Sequence, residues 1–152
     1  AGDTGVMFGQ RLQSFLLEAG HPNVLAPGKR PRITLTPTLV MKDGKPLLVL
    51  STPGGDNQDQ SLLQILLNII EFGMNVQEAI EAPRYRIMGG RHVALERAIA
   101  DDVRTALSAM GHAILPAGDA GFGGGQAIVI DEERGVLQGG SDSRKDGCAQ
   151  GY

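Results

Sequence analysis

The chain has no tryptophan, and aromatic residues make up only 4% of it. A surface that stacks nucleic-acid bases needs several rings, so that class of partner is not expected. The one dense basic cluster, Lys29-Arg30-Pro31-Arg32, is too short to track a phosphate backbone, and the formal net charge is −3. There is a single cysteine, Cys148, so no internal disulfide can form and no cysteine pair can hold zinc. In its Gly/Ala-rich surroundings Cys148 reads as a small residue, not a nucleophile. The three histidines, His21, His92 and His112, stand at no metal-ligand spacing, so neither a metal nor another cofactor is expected. No apolar run nears the length of a membrane span and no signal peptide is recognisable, so no membrane partner is expected. The compartment stays open between periplasmic or extracellular and cytoplasmic. No Gly-x-Ser-x-Gly elbow is present, which argues against an α/β-hydrolase. The glycine run at 121–125 is followed by no lysine, so it is not a phosphate-binding fingerprint.

What is present suits one globular domain over residues 1–152, with 41% hydrophobic residues, 22 glycines and 8 prolines. The order of elements predicts a mixed α/β layered domain without repeats. Thr4 to Phe8 reads as a short buried strand and Gly9 to Ser14 as a turn. Residues 20–32, rich in proline and glycine, read as an ordered loop. A strand is expected from near Thr38, because Pro37 cannot donate to a ladder. Asp43-Gly44 then turns the chain into a return strand, Leu47 to Leu50, apolar enough for burial on both faces. A helix capped by Asp56 or Asn57 follows, apolar on more than one side and ended by Gly73. Asn75 caps a short helix, Val76 to Glu81, and Pro83 stops it. Strands are expected at Arg84 to Met88, His92 to Leu95 and Ala113 to Leu115, with a helix over 98–110. Residues 117–125 read as a flexible glycine loop. Gln126 to Ile130 and Gly135 to Gly139 read as a hairpin.

The stretch with the most chemistry is Thr52-Pro53-Gly54-Gly55-Asp56-Asn57, where a strand ends and a helix begins. Free backbone N–H groups gather at such a junction and can hold an anion or a developing oxyanion. Two successive glycines let the backbone approach a ligand closely. Thr34, Thr36 and Thr38 alternate along an extended segment, and their hydroxyls could meet a carboxylate. A strand-to-helix turn and ordinary strand threonines account for the same residues without any ligand.

The pieces GDTGVMF, HPNVLAPGKRP, TLTPTLVMKDGKP, TPGGDNQ, NVQEAIEAPRYR, SDSRKDG and the final GY together resemble the small subunit of the γ-glutamyltransferase (γ-glutamyltranspeptidase) family. The resemblance implies part of the four-layer αββα sandwich of an N-terminal-nucleophile (Ntn) hydrolase, made by self-cleavage of a precursor. It implies γ-glutamyl or acyl amide hydrolysis or transfer through an acyl-enzyme on a new N-terminal threonine, as in glutathione metabolism. That threonine motif does not occur in these residues, so the chain is expected to be a downstream, C-terminal portion of the small subunit, inactive alone. The implied partners are the large subunit, the upstream part of the small subunit and a small γ-glutamyl or acyl amide substrate. The resemblance assigns Gly54 and Gly55 to the oxyanion hole and Thr34 to the substrate carboxylate. Ile33 stands where the family places a second hydroxyl. Ser14 stands where an aspartate would pair the substrate ammonium, and Arg11 lies close by. An arginine repels an ammonium and attracts a carboxylate, so an acyl donor without the α-amino group is expected. The competing expectation is a non-catalytic anion- or peptide-binding module built on the same fold.

Overall fold

The structure, a computed structural model, describes residues 2–7, 9–116 and 121–151. They form two compact units, Ala1–Leu35 and Thr36–Tyr152.

The first unit is mostly turns. Short 3-10 helices cover Gly2–Thr4 and Gln10–Ser14. Leu16 and Val24 form an isolated parallel bridge, in which the Leu25 N–H donates to the Leu16 carbonyl at 2.9 Å. The buried strand expected from Thr4 to Phe8 is not formed. Gly2 and Gly5 take φ of 55° and 70°, which turns the chain. Val6 is 64% and Met7 89% exposed, and Phe8 lies outside the described residues. A strand needs a partner ladder, and none pairs with Thr4 to Met7 among the described residues.

The second unit holds two sheets. Strands β1 (Thr38–Lys42) and β2 (Lys45–Ser51) form a hairpin across Asp43-Gly44, whose φ values of 51° and 79° fit the turn. The strand does start at Thr38, one residue after Pro37. Helix α1 (Gln58–Ile70) follows a 3-10 turn at Gly55–Asn57, and α2 (Val76–Glu81) follows Gly73. Strands β3 (Tyr85–Gly89) and β4 (His92–Leu95), helix α3 (Asp101–Ala109) and strand β5 (Ala113–Leu115) make a small three-stranded sheet in the order β3-β4-β5. β6 (Gln126–Asp131) and β7 (Val136–Ser141) complete an antiparallel four-stranded sheet in the order β1-β2-β6-β7.

One face of the four-stranded sheet carries the core. Leu48, Leu50 and Ala127 meet Leu62 and Ile65 of α1 and Val76, Ala79 and Ile80 of α2. Each fully buried Leu or Ile contributes about 1.5–3 kcal/mol. Two expectations are corrected here. Among the described residues β2 is covered on one face only: Leu48 and Leu50 are 0% and 1% exposed while Val49 between them is 44% exposed. α1 is likewise covered on one side only. Ile65 is buried, but Leu63 and Ile70 are 52% and 48% exposed, and Phe72, just past the end of the helix, is 70% exposed. A long apolar run reads as two buried faces only when a layer exists to cover the second. The face of β1, β2, β6 and β7 that bears Leu39, Val49, Ile128 and Leu137 is exposed among the described residues.

Candidate active site

β2 delivers Thr52 to the edge of the core, where the threonine is only 4% exposed. The chain then turns through Pro53, Gly54 (φ 142°, ψ 10°) and Gly55 (φ 59°) into the 3-10 turn and α1. Gly54 takes a φ that side-chain-bearing residues rarely adopt, which is the physical demand for glycine there. The turn closes when the Asn57 N–H donates to the Gly54 carbonyl at 3.1 Å. The Gly54 and Gly55 N–H groups find no acceptor among the described residues, and both glycines are exposed. Two free donors at the mouth of a helix are what an oxyanion needs.

The expected side-chain cap takes another form. Asn57 occupies the cap position of α1 but makes no capping bond. Its side chain is 0% exposed and donates instead to Ser61 Oγ at 2.8 Å and to the Gly121 carbonyl at 3.1 Å. Asn57 therefore ties the loop to the segment that leads into β6.

That segment corrects a second expectation. Residues 117–120 lie outside the described residues, but 121–125 are far from a loose loop. Phe122, Gly123, Gly124 and Gly125 are buried. The Gly124 N–H donates to Thr52 Oγ1 at 2.8 Å, and Thr52 Oγ1 donates to the Pro53 carbonyl at 2.9 Å. Ser61 Oγ donates to the Phe122 carbonyl at 3.0 Å.

Behind the segment sits an ionic cluster that sequence reasoning missed. Arg84 is 1% exposed and donates to Asp142 Oδ2 at 2.5 Å, to the Phe122 carbonyl at 2.6 Å and to the Ile80 carbonyl. Asp142 also accepts the Gly125 N–H at 2.7 Å and a bond from Arg144 Nη1 at 3.0 Å. Arg144 forks onto Glu96, with both bonds at 2.6 Å, and Glu96 accepts the Arg84 N–H at 2.7 Å. Burial pushes the Asp142 carboxyl up, but the Arg144 N–H, the Arg84 guanidinium and the Gly125 N–H together hold it below the usual carboxylate range. Burial lowers Arg84, against the pull of Asp142. The Glu96 carboxylate raises Arg144. The available signal was an arginine directly after Ala-Pro and the charged run Asp142-Ser143-Arg144-Lys145-Asp146 in a glycine-rich tail. Neither announces its burial.

The other sequence-derived residues fall in the first unit, where the structure brings them together. Arg11 Nη1 donates to Thr34 Oγ1 at 3.0 Å. Ser14 Oγ lies 2.5 Å from the Arg11 carbonyl and 3.0 Å from the Arg32 carbonyl, so its one proton is engaged locally. Thr36 and Thr38 belong to the second unit and are also occupied. Gln58 Oε1 accepts from the Thr36 hydroxyl at 3.1 Å, and the Thr38 hydroxyl donates to the Thr36 carbonyl at 3.1 Å. No group of three or more His, Cys, Asp or Glu residues able to hold a metal occurs among the described residues. Cys148 is free and exposed.

The family model for gamma-glutamyltranspeptidase matches residues 1–152. The chain belongs to the gamma-glutamyltranspeptidase family. It is 39% identical over 158 residues to the glutathione hydrolase-like YwrD proenzyme of Bacillus subtilis (strain 168), covering 99% of this chain and 30% of that protein. Its structure resembles gamma-glutamyltranspeptidase from Pseudomonas nitroreducens complexed with L-DON, with a TM-score of 0.86 at 25% identity, covering 100% of this chain and 84% of that one. It equally resembles cephalosporin acylase from Bacillus halodurans, with a TM-score of 0.85 at 37% identity, covering 93% of this chain and 27% of that one. The fold is thus the mixed helix-and-sheet arrangement of this Ntn-hydrolase family. The chain spans less than a third of the first curated relatives it matches, 30% of one and 25% of another.

Proposed function

We propose that the whole protein is an Ntn hydrolase that cleaves or transfers γ-glutamyl or related acyl groups, and that this chain is a C-terminal portion of its small subunit. The attacking threonine is assigned to a residue outside these 152 positions. Its hydroxyl oxygen forms a bond to the amide carbonyl carbon while the α-amino group accepts the hydroxyl proton. The C–N bond then breaks, the amine leaves with that proton, and water or an amino acid takes the acyl group from the ester. The carbonyl oxygen carries negative charge between these events. The paired N–H groups of Gly54 and Gly55, free on the open end of α1, carry this reading. One such donor is worth roughly 3–4 kcal/mol in the transition state. The large subunit and the upstream part of the small subunit are the proposed partners, consistent with relatives named as proenzymes.

A separate assignment concerns the first unit. Arg11, with its Nη1 on the Thr34 hydroxyl, presents a fixed cation beside a hydroxyl, which suits a carboxylate. Ser14 offers no negative charge for an ammonium. The acyl donor is therefore assigned to carboxylate-bearing acyl groups without an α-amino group, glutaryl before γ-glutamyl. Likeness to a cephalosporin acylase supports an acyl donor broader than glutathione.

The full-length protein should release the aniline from both glutaryl and γ-glutamyl anilides, with the higher kcat/KM for glutaryl. Arg11→Gln should raise KM for glutaryl with little change in kcat. A strong preference for glutathione would overturn the substrate assignment. Tight anion binding without turnover of any acyl amide would overturn the enzyme and leave a binding module.

A further inference from the structure

The Thr52–Gly55 loop has to aim two N–H groups, yet it is exposed and rich in glycine. Something must hold it. One route of unbroken contacts leads inward from it. Gly54 lies against Gly123, where a Cβ on Gly54 would stand 3.7 Å from the Gly123 Cα. A Cβ on Gly123 would stand 2.4 Å from Thr52 Oγ1 and 3.4 Å from the Pro53 carbonyl oxygen, so the two backbones pack with no room for a side chain. The Gly124 N–H is bonded to Thr52 Oγ1, and the Gly125 N–H to Asp142 Oδ2. Arg84 grips the same segment from behind, through the Phe122 carbonyl and Asp142.

We infer that the buried Arg84–Asp142 pair is a positioning device for the Gly54 and Gly55 donors, acting through Phe122–Gly125 and the Thr52 hydroxyl. None of these side chains touches the reacting atoms. Arg84 supplies a planar fork that binds a carbonyl and a carboxylate at once, and Asp142 fixes both the fork and the Gly125 N–H. Gly123, Gly124 and Gly125 carry no side chain, so beyond the buried Phe122 the place of this backbone is set by hydrogen bonds. Loss of the pair releases the segment, and with it the brace on Thr52. The glycine amides then sample orientations that do not point at an oxyanion, which lowers kcat while substrate binding is kept.

This inference rests on the oxyanion assignment above, and the test separates the two. In the full-length protein, Thr52→Val keeps the side-chain volume and removes the acceptor of the Gly124 N–H. Thr52→Ser restores that acceptor. Arg84→Lys keeps a cation beside Asp142 and loses the fork. Val93→Ala, in the small sheet, is the control for general destabilisation. Hydrogen–deuterium exchange at the buried, hydrogen-bonded Gly124 and Gly125 amides should be about fivefold or more faster in Thr52→Val and Arg84→Lys. It should be unchanged in Val93→Ala, whose melting temperature falls. With an acyl anilide, Thr52→Val and Arg84→Lys should lose about tenfold or more in kcat with KM within about twofold, and Thr52→Ser should recover most of the loss. Unchanged exchange in either Thr52→Val or Arg84→Lys, or equal loss of kcat in Thr52→Val and Thr52→Ser, overturns the inference. If exchange responds as stated but the unmodified protein turns over no acyl amide, the coupling stands and the oxyanion assignment is what falls.

Discussion

Asp142 is the residue on which most of the second unit's buried charge turns. It is 1% exposed and compensates two arginines at once. Asp142→Asn should therefore cost roughly 3–5 kcal/mol of stability, because it leaves Arg84 buried without its counter-charge. Urea unfolding read by circular dichroism would measure this. The carboxyl is held below its ordinary value in the folded state. Its contribution is complete above the unfolded value near pH ~3.9 and is lost as pH falls through the folded value. Stability should accordingly drop below about pH 4, and in Asp142→Asn that acid limb should be shallower. At the glycines the demand is steric. Gly123 has φ of 87° and no space toward Thr52, so Gly123→Ala should destabilise by roughly 1–3 kcal/mol. A thermal melt would report it.

Among the elements, α2 shows best how local sequence sets local structure. Asn75 Oδ1 accepts the Gln77 and Glu78 N–H groups at 3.0 and 2.9 Å, and the Asn75 N–H donates in return to Glu78 Oε2 at 3.0 Å. This capping box was readable as Asn-x-x-Glu, and both bounds of the helix follow from it and from Pro83. Asn75→Ala should cost about 1 kcal/mol, as measured by chemical denaturation. α1 is held differently. Its cap position makes no capping bond, so packing carries it: Ile65, 1% exposed, lies against both β2 and α2. Ile65→Ala should cost about 2–5 kcal/mol. The β1–β2 hairpin, the β6–β7 hairpin and the α1–α2 pair were all legible, because proline, Asp-Gly and the caps act over a few residues. The strand expected at Thr4 to Phe8 was not, because a ladder is made with residues far along the chain.

At the scale of the whole chain, the four-stranded sheet is covered by helices on one face and, among the described residues, leaves apolar side chains exposed on the other. Leu39, Val49, Ile128 and Leu137 stand 57%, 44%, 44% and 69% exposed there. Under the proposed function this face is the inner layer of the αββα sandwich, covered by the remainder of the protein. An apolar sheet face of this kind associates with whatever apolar surface is available. The chain expressed alone should self-associate. Ile128→Lys should shift it toward monomer in sedimentation velocity, and in the full-length protein the same change should impair assembly. Retained assembly in that variant would count against the layer assignment.

The sequence by itself determined the punctuation of the fold, the family and the position of the two glycines after Thr52-Pro53. Those properties depend on near neighbours or on motifs that stand in the chain as words. Only the tertiary structure decided what holds the glycine loop in place. The brace runs from Thr52 through residues 122–125 to Arg84 and Asp142, bonds that span 17 to 72 residues of chain. Such a partnership leaves no local pattern, because each member looks like an ordinary polar or small residue until folding removes water from around it. The same holds for burial. Apolar runs in β2 and α1 asked for two covered faces, and tertiary packing supplied one, because a buried face requires a layer to cover it.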